Sequence, residues 1–404
     1  MKWEKVRFGD LYAVESRNGL TKPSKVRGSG YKMINMGELF ANDRIYDIPM
    51  ERVPLKESEK QNAKVECGDL LFARQSLVLE GAGKCSIVMG VSVLTVFESH
   101  LIRIRLDASR ALPMFYYYYF KSSLSPMKSI VSQCAQAGIR GSDLQELQVI
   151  LPPINVQQRI AEIVSKYDDL IENNQKQIKL LEEAAQRLYK EWFVDLHFPG
   201  HETTPIVDGV PEGWTRCCLE NVISFNPKVS LSKERLKQSV PMSALSTTST
   251  ILDFNEFTTT YSNAGSKFQN GDTLLARITP CLENGKTAFV SGIESSEGAV
   301  GSTEYIVMRE KEITPYMVYL LARTEDFRQA AINSMTGSDG RQRAQVDKLK
   351  TLPYLKPTIQ VIELFARCVE PMFIQIQTKN RQNMELKQAR DRLIPKLMNR
   401  EIEV

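Results

Sequence analysis

The feature that most constrains the fold is an internal repeat. The stretch GDLLFAR at Gly68–Arg74 returns as GDTLLAR at Gly271–Arg277, about 200 residues further along the chain. Three other pairs occur in the same order along the chain: Trp3 and Trp214 before this motif, and GKCSIV (83–88) with GKTAFV (285–290) and HLIRIRL (100–106) with EYIVMRE (304–310) after it. Because the spacing between partners drifts slightly, the loops differ in length while the core elements are shared. The repeat predicts two copies of one globular domain.

Each copy ends in a long segment whose apolar residues recur at steps of three and four, the pattern of a coiled-coil seam. The first segment follows Pro152-Pro153 and, as a helix from Ile154 to Glu191, would be roughly 57 Å long. Both seams turn polar near their middles, at Asn173-Asn174 and at Lys379-Asn380, and antiparallel pairing would bring these middles together. The seam residues are Ile160, Ile163, Tyr167, Ile171, Asn174, Ile178, Leu181, Ala185, Leu188 and Trp192 in the first segment, and Phe365, Met372, Ile376, Leu386, Leu393 and Leu397 in the second.

These patterns predict an α+β chain in four parts. Residues 1–152 and 201–356 form two pseudo-symmetric globular domains. Residues 153–200 and 357–404 form two long helices that join them and pair as an antiparallel coiled coil.

The aromatic run FYYYYF at Phe115–Phe120 has two interpretations. It could be a platform on which nucleic-acid bases stack, or one face of a buried helix that begins at Pro113. The second copy has a proline at the matching position, Pro315, and then the apolar stretch Met317–Leu321. A buried helix in both copies is therefore favoured.

Composition excludes several classes of protein. With 42% hydrophobic and 25% charged residues the chain is typical of a globular protein. No signal peptide opens it, and no apolar stretch reaches the roughly 18 to 20 residues of a membrane helix, so we expect a cytoplasmic protein without membrane contact. His197 and His201 enclose Pro199-Gly200, which prevents a shared helical metal site. No C-x-x-C pair occurs, so buried or idle thiols are expected at Cys67, Cys85, Cys134, Cys217, Cys218, Cys281 and Cys368.

Motifs of catalysis and nucleotide binding are missing from the sequence. Gly83-Lys84 and Gly285-Lys286 lack the earlier glycine of a phosphate-binding loop, because Val78 and Pro280 stand there. The nearest strings to the motif of an amino-methyltransferase are FNPKV and LPPI, and neither has the required residues. The chain is therefore predicted to be non-catalytic, without a cofactor or metal of its own. Lys84 and Lys286 then either face solvent or contact DNA phosphate.

Basic and amide residues at turns of both copies are the candidates for DNA contact. Arginine and glutamine form bidentate bonds with guanine and adenine edges, and neighbouring glycine, serine and threonine allow close approach to phosphate. In the repeated motif, Gly-Asp predicts a turn, and the apolar run predicts a buried strand. The arginine at the end of the motif is then the residue that remains as a candidate for DNA contact. Solvated loop charges are the alternative for any single residue. The candidates are Arg74, Gln75, Arg140 and Ser142 in the first copy, and Arg277, Arg341, Gln342 and Arg343 in the second.

Four stretches are typical of one protein family: Leu151–Gly200 with its KEWF ending, VPEGW at 210–214, GSDGRQR at 337–343, and ARDRLIPKLMNREIEV at 389–404. With them, the chain resembles the DNA-specificity subunits of type I restriction-modification systems along its full length. One departure is that the second helix begins PTIQVIELFARCV, without the paired glutamines seen at Gln157-Gln158.

The resemblance implies two target-recognition domains, each reading one part of a split, asymmetric DNA sequence, held apart by the helix pair. It also implies two docked modification subunits that carry S-adenosylmethionine and methylate adenine, and restriction subunits using ATP and Mg²⁺ that can join them. The helix residues expected to serve in spacing and docking are Gln157, Ile160, Tyr167, Ile171, Leu181, Trp192, Phe193, Leu393 and Leu397.

Two other functions compete with this interpretation. The chain could be the recognition part of a fused methyltransferase-nuclease, although the missing catalytic motifs argue against that. It could also be a coiled-coil adaptor whose two domains bind proteins and not DNA. A gel-shift experiment with and without a methyltransferase partner separates these functions.

Overall fold

The computed structural model describes residues 3–76, 78–133, 137–338 and 340–404. Contacts divide the chain into two compact units, Met1–Leu170 with Glu385–Val404, and Ile171–Met384. Each unit holds one globular domain and one part of each long helix. Cys134, Gln136 and Asp339 lie outside the described residues. No helix in the described ranges is long and apolar enough to span a membrane.

The first unit alternates short strands and helices before the long helix begins. In chain order its elements are β1 (Glu4–Arg7), β2 (Tyr12–Asn18), β3 (Tyr31–Ile34), α1 (Met36–Ala41), β4 (Arg44–Ile45), β5 (Glu51–Val53), α2 (Glu57–Asn62), β6 (Leu70–Ala73), β7 (Gln75–Ser76), β8 (Cys85–Val88), β9 (Thr95–Phe97), β10 (Leu101–Leu106), α3 (Pro113–Lys121), β11 (Ser132–Gln133), β12 (Ala137–Gly138), α4 (Gly141–Glu146), β13 (Gln148–Leu151) and α5 (Ile154–Tyr189).

The second unit repeats this order with fewer helices at its start. Its elements are β14 (Ile206–Val207), β15 (Val210–Pro211), β16 (Thr215–Cys218), α6 (Leu219–Val222), β17 (Ile223–Phe225), β18 (Lys237–Val240), β19 (Thr258–Thr260), β20 (Ser266–Phe268), β21 (Thr273–Ala276), β22 (Thr287–Phe289), β23 (Ala299–Gly301), β24 (Tyr305–Glu310), α7 (Pro315–Ala322), α8 (Glu325–Asn333), α9 (Val346–Lys350), β25 (Pro353–Lys356) and α10 (Ile359–Met398).

Sheet topology confirms that the two domains are copies of one fold. The order β2-β10-β6-β8 in the first unit corresponds to β17-β24-β21-β22 in the second, and β5-β3-β9 corresponds to β19-β18-β23. In the latter pair the inner contacts, β3 with β9 and β18 with β23, are both parallel. A two-stranded ribbon closes each domain, β1 with β13 and β16 with β25.

The aromatic run belongs to the core, as predicted. Helix α3 begins at Pro113, and all six side chains of Phe115–Phe120 are buried. In the second unit, α7 likewise begins at Pro315 and buries its apolar residues against the sheet. The run is therefore not a base-stacking platform.

The repeated Gly-Asp forms a turn in both domains, and its aspartate has a further role that the sequence did not reveal. Gly68 and Gly271 have φ values of +90° and +93°, which favour glycine. Asp69 is fully buried, accepts a hydrogen bond from the Glu66 backbone N–H at 2.7 Å, and accepts two more from the Arg105 guanidinium at 2.7 and 2.8 Å. The turn is thereby fastened to β10.

Within each unit the two long helices run antiparallel, as predicted. In the first unit, Asp168 of α5 accepts hydrogen bonds from Arg390 of α10 and, at 2.9 Å, from the Tyr118 hydroxyl. In the second unit, Ile178 of α5 packs with Ile376 of α10. Residue numbers thus rise along one helix as they fall along the other.

The predicted polar contact is present, but its partner on the second helix is corrected. Asn174 Nδ2 donates to Asn383 Oδ1 at 3.1 Å, and the two residues are only 8% and 4% exposed. Lys379 and Asn380, the expected partners, are half-buried and lie one turn away from this contact. A buried amide that lacks a hydrogen-bond partner lowers stability. The helices are therefore most stable in the register that places the two asparagines opposite each other.

We expect Asn383→Ala to lower the free energy of unfolding by about 1–3 kcal/mol, because the buried Asn174 amide loses its short partner. Replacing both asparagines by leucine is expected to restore most of that stability. Urea unfolding monitored by circular dichroism measures both effects. The exposed Asn173→Ala is the control, and an Asn383→Ala protein as stable as that control would show that the pair does not stabilise the helices.

The seam also deviates from the predicted positions at Tyr167, Met372 and Leu393. These residues are half-buried, while their neighbours Asp168, Phe373 and Ile394 are buried. The long helices pack against a globular domain as well as against each other, so their buried face is wider than a coiled-coil seam.

Candidate nucleic-acid interface

In the first domain, the end of the repeated motif lies beside the glycine-rich loop. The Arg74 backbone N–H donates to the His100 carbonyl at 2.8 Å, and the Ile139 N–H donates to the Arg74 carbonyl at 2.9 Å. Gln75 pairs with Gly138 in the next step of the ladder. The predicted residues Arg74 and Gln75 are therefore brought next to the loop that continues into Arg140.

The side chains on this loop are available for contact. Arg140 is exposed at the residue before α4, and Ser142 is exposed on the first turn, where its hydroxyl donates to Asp143 at 3.3 Å. Arg74 is half-buried, and its guanidinium has no hydrogen bond or ion pair to any residue in the described part of the chain. Arg74, Gln75 and Arg140 therefore lie on neighbouring backbone segments.

The second domain builds the same arrangement. The Arg277 backbone N–H donates to the Glu304 carbonyl at 3.0 Å, and the Ala344 N–H donates to the Arg277 carbonyl at 2.8 Å. The loop that precedes Ala344 is closed as a hairpin, since Thr336 and Arg343 exchange backbone hydrogen bonds of 3.1 and 2.9 Å. These bonds place Arg277 next to the loop that carries Arg341, Gln342 and Arg343.

A carboxylate in this second cluster was missed by the sequence reasoning. Glu304 accepts three hydrogen bonds from Arg343, two from Nε at 2.9 and 3.0 Å and one from Nη2 at 2.7 Å. These bonds hold the pKa of the Glu304 carboxyl below its usual value. The Arg277 Nε lies 4.0 Å from the same carboxylate. The sequence feature that could have indicated Glu304 is its position. It is the first residue of EYIVMRE and corresponds to His100 of HLIRIRL in the first copy.

Comparison with known proteins agrees with this architecture. The family described as "Type I restriction modification DNA specificity domain" matches residues 1–183. The chain is 24% identical over its whole length to the type I restriction enzyme MjaIX specificity subunit of Methanocaldococcus jannaschii, of which the match covers 94%. It is 31% identical to the EcoAI specificity subunit of Escherichia coli over 37% of this chain and 26% of that protein.

A crystal structure of the S subunit of a type I restriction-modification system from M. genitalium has the same fold. It superposes with a TM-score of 0.57 at 16% identity, covering 98% of this chain and 96% of that one. The chain is thus similar to type I restriction-modification specificity subunits, and residues 1–183 match the DNA specificity domain of that family. The relatives are named as specificity subunits of type I restriction enzymes.

The two repeated lysines have a role that neither predicted alternative included. The Lys84 ammonium donates to the Phe40 carbonyl at 2.7 Å and lies 5.3 Å from the centre of that residue's ring. The Lys286 ammonium donates to the Met242 carbonyl at 2.9 Å. Each lysine therefore fastens its turn to another segment of its own domain. A DNA phosphate would have to compete with these carbonyls.

Gln157 is corrected as a docking residue. Its side chain is fully buried and bonds the Leu112 N–H at 2.8 Å and the carbonyls of Arg110 and Pro152 at 2.9 and 2.8 Å. It fastens the start of α5 to the first domain and is not available to a docked subunit. The neighbouring Gln158 is exposed.

The other predicted helix residues contribute mainly to packing. Ile160 and Leu397 are buried in the core of the first unit, and Trp192 in the core of the second. Ile171 is also buried, whereas the remaining members are partly exposed: Tyr167, Leu181, Phe193 and Leu393. Spacing and docking by these residues stay predictions.

Proposed function

We propose that this chain is a specificity subunit that supplies sequence recognition to a type I restriction-modification complex. Each globular domain reads one half of a bipartite DNA target, and the two halves differ in sequence. The observation that supports this most is the repeated frame, in which the motif arginine and the glycine-rich loop meet in both domains. One scaffold carries different side chains at the same place, as expected of two readers of different sequences.

The local charge of these clusters suits DNA although the net charge of the chain is only +4. Arg74 and Arg140 in one domain, and Arg277, Arg341 and Arg343 in the other, concentrate cations on loops. A local basic surface, and not the overall balance, determines attraction to the phosphate backbone.

We further propose that the long helices set the distance between the half-sites and dock two modification subunits. Those subunits would carry S-adenosylmethionine and methylate adenine, and restriction subunits using ATP and Mg²⁺ would join the complex in the cytoplasm. Exposed apolar residues on the helices favour docking, because large hydrophobic side chains in water commonly mark contact surfaces. They are Leu170 at 52% exposure, Leu180 at 63%, Leu364 at 40% and Ile374 at 53%.

A domain exchange tests the assignment of one half-site to each domain. Residues 8–147 can be replaced by the corresponding domain of a related protein. Strand β1 of this chain is kept before the insert and strand β13 after it, so that their ribbon is preserved. The junction is suitable because the Phe8 N–H donates to the Leu147 carbonyl at 2.8 Å. Only one half of the sequence methylated in cells is expected to change, as mapped by single-molecule sequencing of methylated adenine.

The second domain offers the matched exchange. There the Leu219 N–H donates to the Leu352 carbonyl at 3.0 Å, so residues 219–352 form the equivalent insert between β16 and β25. This exchange is expected to change the other half-site only. If either exchange altered both halves, the two domains would not read independently. If the full chain with its modification subunits shifted no duplex in a gel, the adaptor function would be favoured instead.

A further inference from the structure

The two domains differ at two positions that occupy equivalent places around the motif arginine. Arg74 and Arg277 are equivalent, because their backbones form the same hydrogen bonds. Each is bonded to the residue just before or at the start of a long strand, β10 or β24, and to the glycine-rich loop. At the start of that strand His100 corresponds to Glu304, and on the loop Gly138 corresponds to Arg343. The arginine is common to both frames. In the second domain Glu304 and Arg343 form an ion pair beside it, whereas the equivalent positions of the first domain hold a histidine and a glycine, which form no such pair with each other.

Among the described residues, Arg343 is held in this ion pair along one edge of its guanidinium. Its Nε and Nη2 donate to Glu304, whereas Nη1 donates, within the described part of the chain, to the Arg341 carbonyl at 3.4 Å. The Arg343 side chain remains 40% exposed, and Glu304 is 23% exposed. The guanidinium edge with Nη1 and the second Nη2 hydrogen is therefore open to a ligand. Guanine O6 and N7 accept from such an edge.

The carboxylate also orders the group before any ligand binds. A free arginine side chain loses rotamer freedom when it binds a ligand, and this loss of conformational entropy weakens binding. Three hydrogen bonds to Glu304 impose that order in the unbound protein. Arg341, by contrast, is exposed, and within the described residues its guanidinium has no hydrogen bond or ion pair.

Resting on the proposed function, we infer that Glu304 is a positioning residue that presents Arg343 to a base edge, while Arg341 contacts phosphate. Arg343 then determines specificity at one position of the half-site read by the second domain. Glu304 acts through Arg343 and also offsets the nearby charge of Arg277, whose buried Nε has no hydrogen-bond partner among the described residues. The first domain, with His100 and Gly138, must read its half-site differently.

The test begins with a random duplex library, from which the full chain with its modification subunits selects a target. Affinities are then measured for that target and for its single-base variants. Arg343→Ala is expected to lower discrimination at one position of one half-site by about 5- to 150-fold, the range for loss of a bidentate base contact. Arg343→Lys keeps the charge and is expected to restore non-specific affinity but not discrimination.

Glu304→Gln distinguishes positioning from simple charge. It is expected to reduce discrimination at that same position at least several-fold while leaving or raising affinity for non-specific duplex. Asp347→Asn is the matched control, since it also removes one negative charge from the second unit, from a surface pair with Lys350. Arg341→Ala is expected to weaken all duplexes equally and to reduce the salt slope by about 1.

The outcomes separate two failures. If the wild-type complex selects no sequence, the proposed function itself is overturned. If it selects a bipartite sequence but Glu304→Gln and Arg343→Lys leave every single-base preference unchanged, the inference alone is overturned. Melting temperatures close to wild type for Arg343→Lys and Arg341→Ala exclude misfolding as the cause.

Discussion

Asp272→Ala is expected to lower the free energy of unfolding by about 3–5 kcal/mol, the usual cost of removing one partner from a buried ion pair. Asp272 is 1% exposed. It accepts hydrogen bonds of 2.6 and 2.7 Å from Arg309 and one of 2.7 Å from the Gln269 backbone N–H. Without the carboxylate, a largely buried guanidinium and a backbone donor lose their partner together.

Urea unfolding of the full chain monitored by tryptophan fluorescence measures this effect, because Trp192 and Trp214 lie in the second unit. Asp347→Ala is the control, as its carboxylate is 93% exposed and no measurable change is expected. Replacing Asp272 and Arg309 together by apolar residues is expected to cost less than the single change. A single variant no less stable than the control would mean that the Gly-Asp motif is only a turn.

The equivalent pair in the first domain shows what the sequence could not reveal about this motif. Glycine before aspartate predicts a turn from local conformation alone. The burial of Asp69 against Arg105 depends on how β6 and β10 pair, which is a tertiary contact. Arg105 is present in HLIRIRL and Arg309 in EYIVMRE. Nothing in either string indicates that the arginine pairs with the aspartate of the Gly-Asp motif.

The long helices were the most predictable part of the fold, because an apolar period near 3.6 that continues over many residues is typical of a helix and of no strand or loop. Errors arose where an individual side chain depends on the domain packed against the helix. Asp168 is buried because Tyr118 and Arg390 satisfy it. A search for apolar seam residues selects Tyr167 instead, one position away.

At the candidate interface, the sequence predicted the cationic residues better than their partners. Arg74 and Arg277 could be found from the repeat, and the loops from their glycines and arginines. The contacts of Lys84 with Phe40 and of Arg343 with Glu304 join residues far apart in the chain. Such pairings follow from the folded topology, so composition and spacing do not contain them.

The second large effect is expected at Phe365, where α10 meets the end of α5. This residue is fully buried, and its ring centre lies 4.8 Å from Phe193, 5.5 Å from Trp192 and 6.1 Å from Tyr189. Phe365→Ala is expected to lower the free energy of unfolding by about 3–5 kcal/mol, through lost burial and the cavity left among the rings. The fluorescence of Trp192 should change in the native baseline.

Leu364→Ala is the matched control for this prediction, since the adjacent side chain is 40% exposed and a change within about 0.5 kcal/mol is expected at such a site. Equal losses for the two variants would contradict the burial of Phe365 among the aromatic rings. If Leu364→Ala keeps its stability but weakens assembly with the modification subunits, the two neighbours have separate roles. Phe365 would then stabilise the second unit while Leu364, on a different face of the same helical turn, provides docking surface.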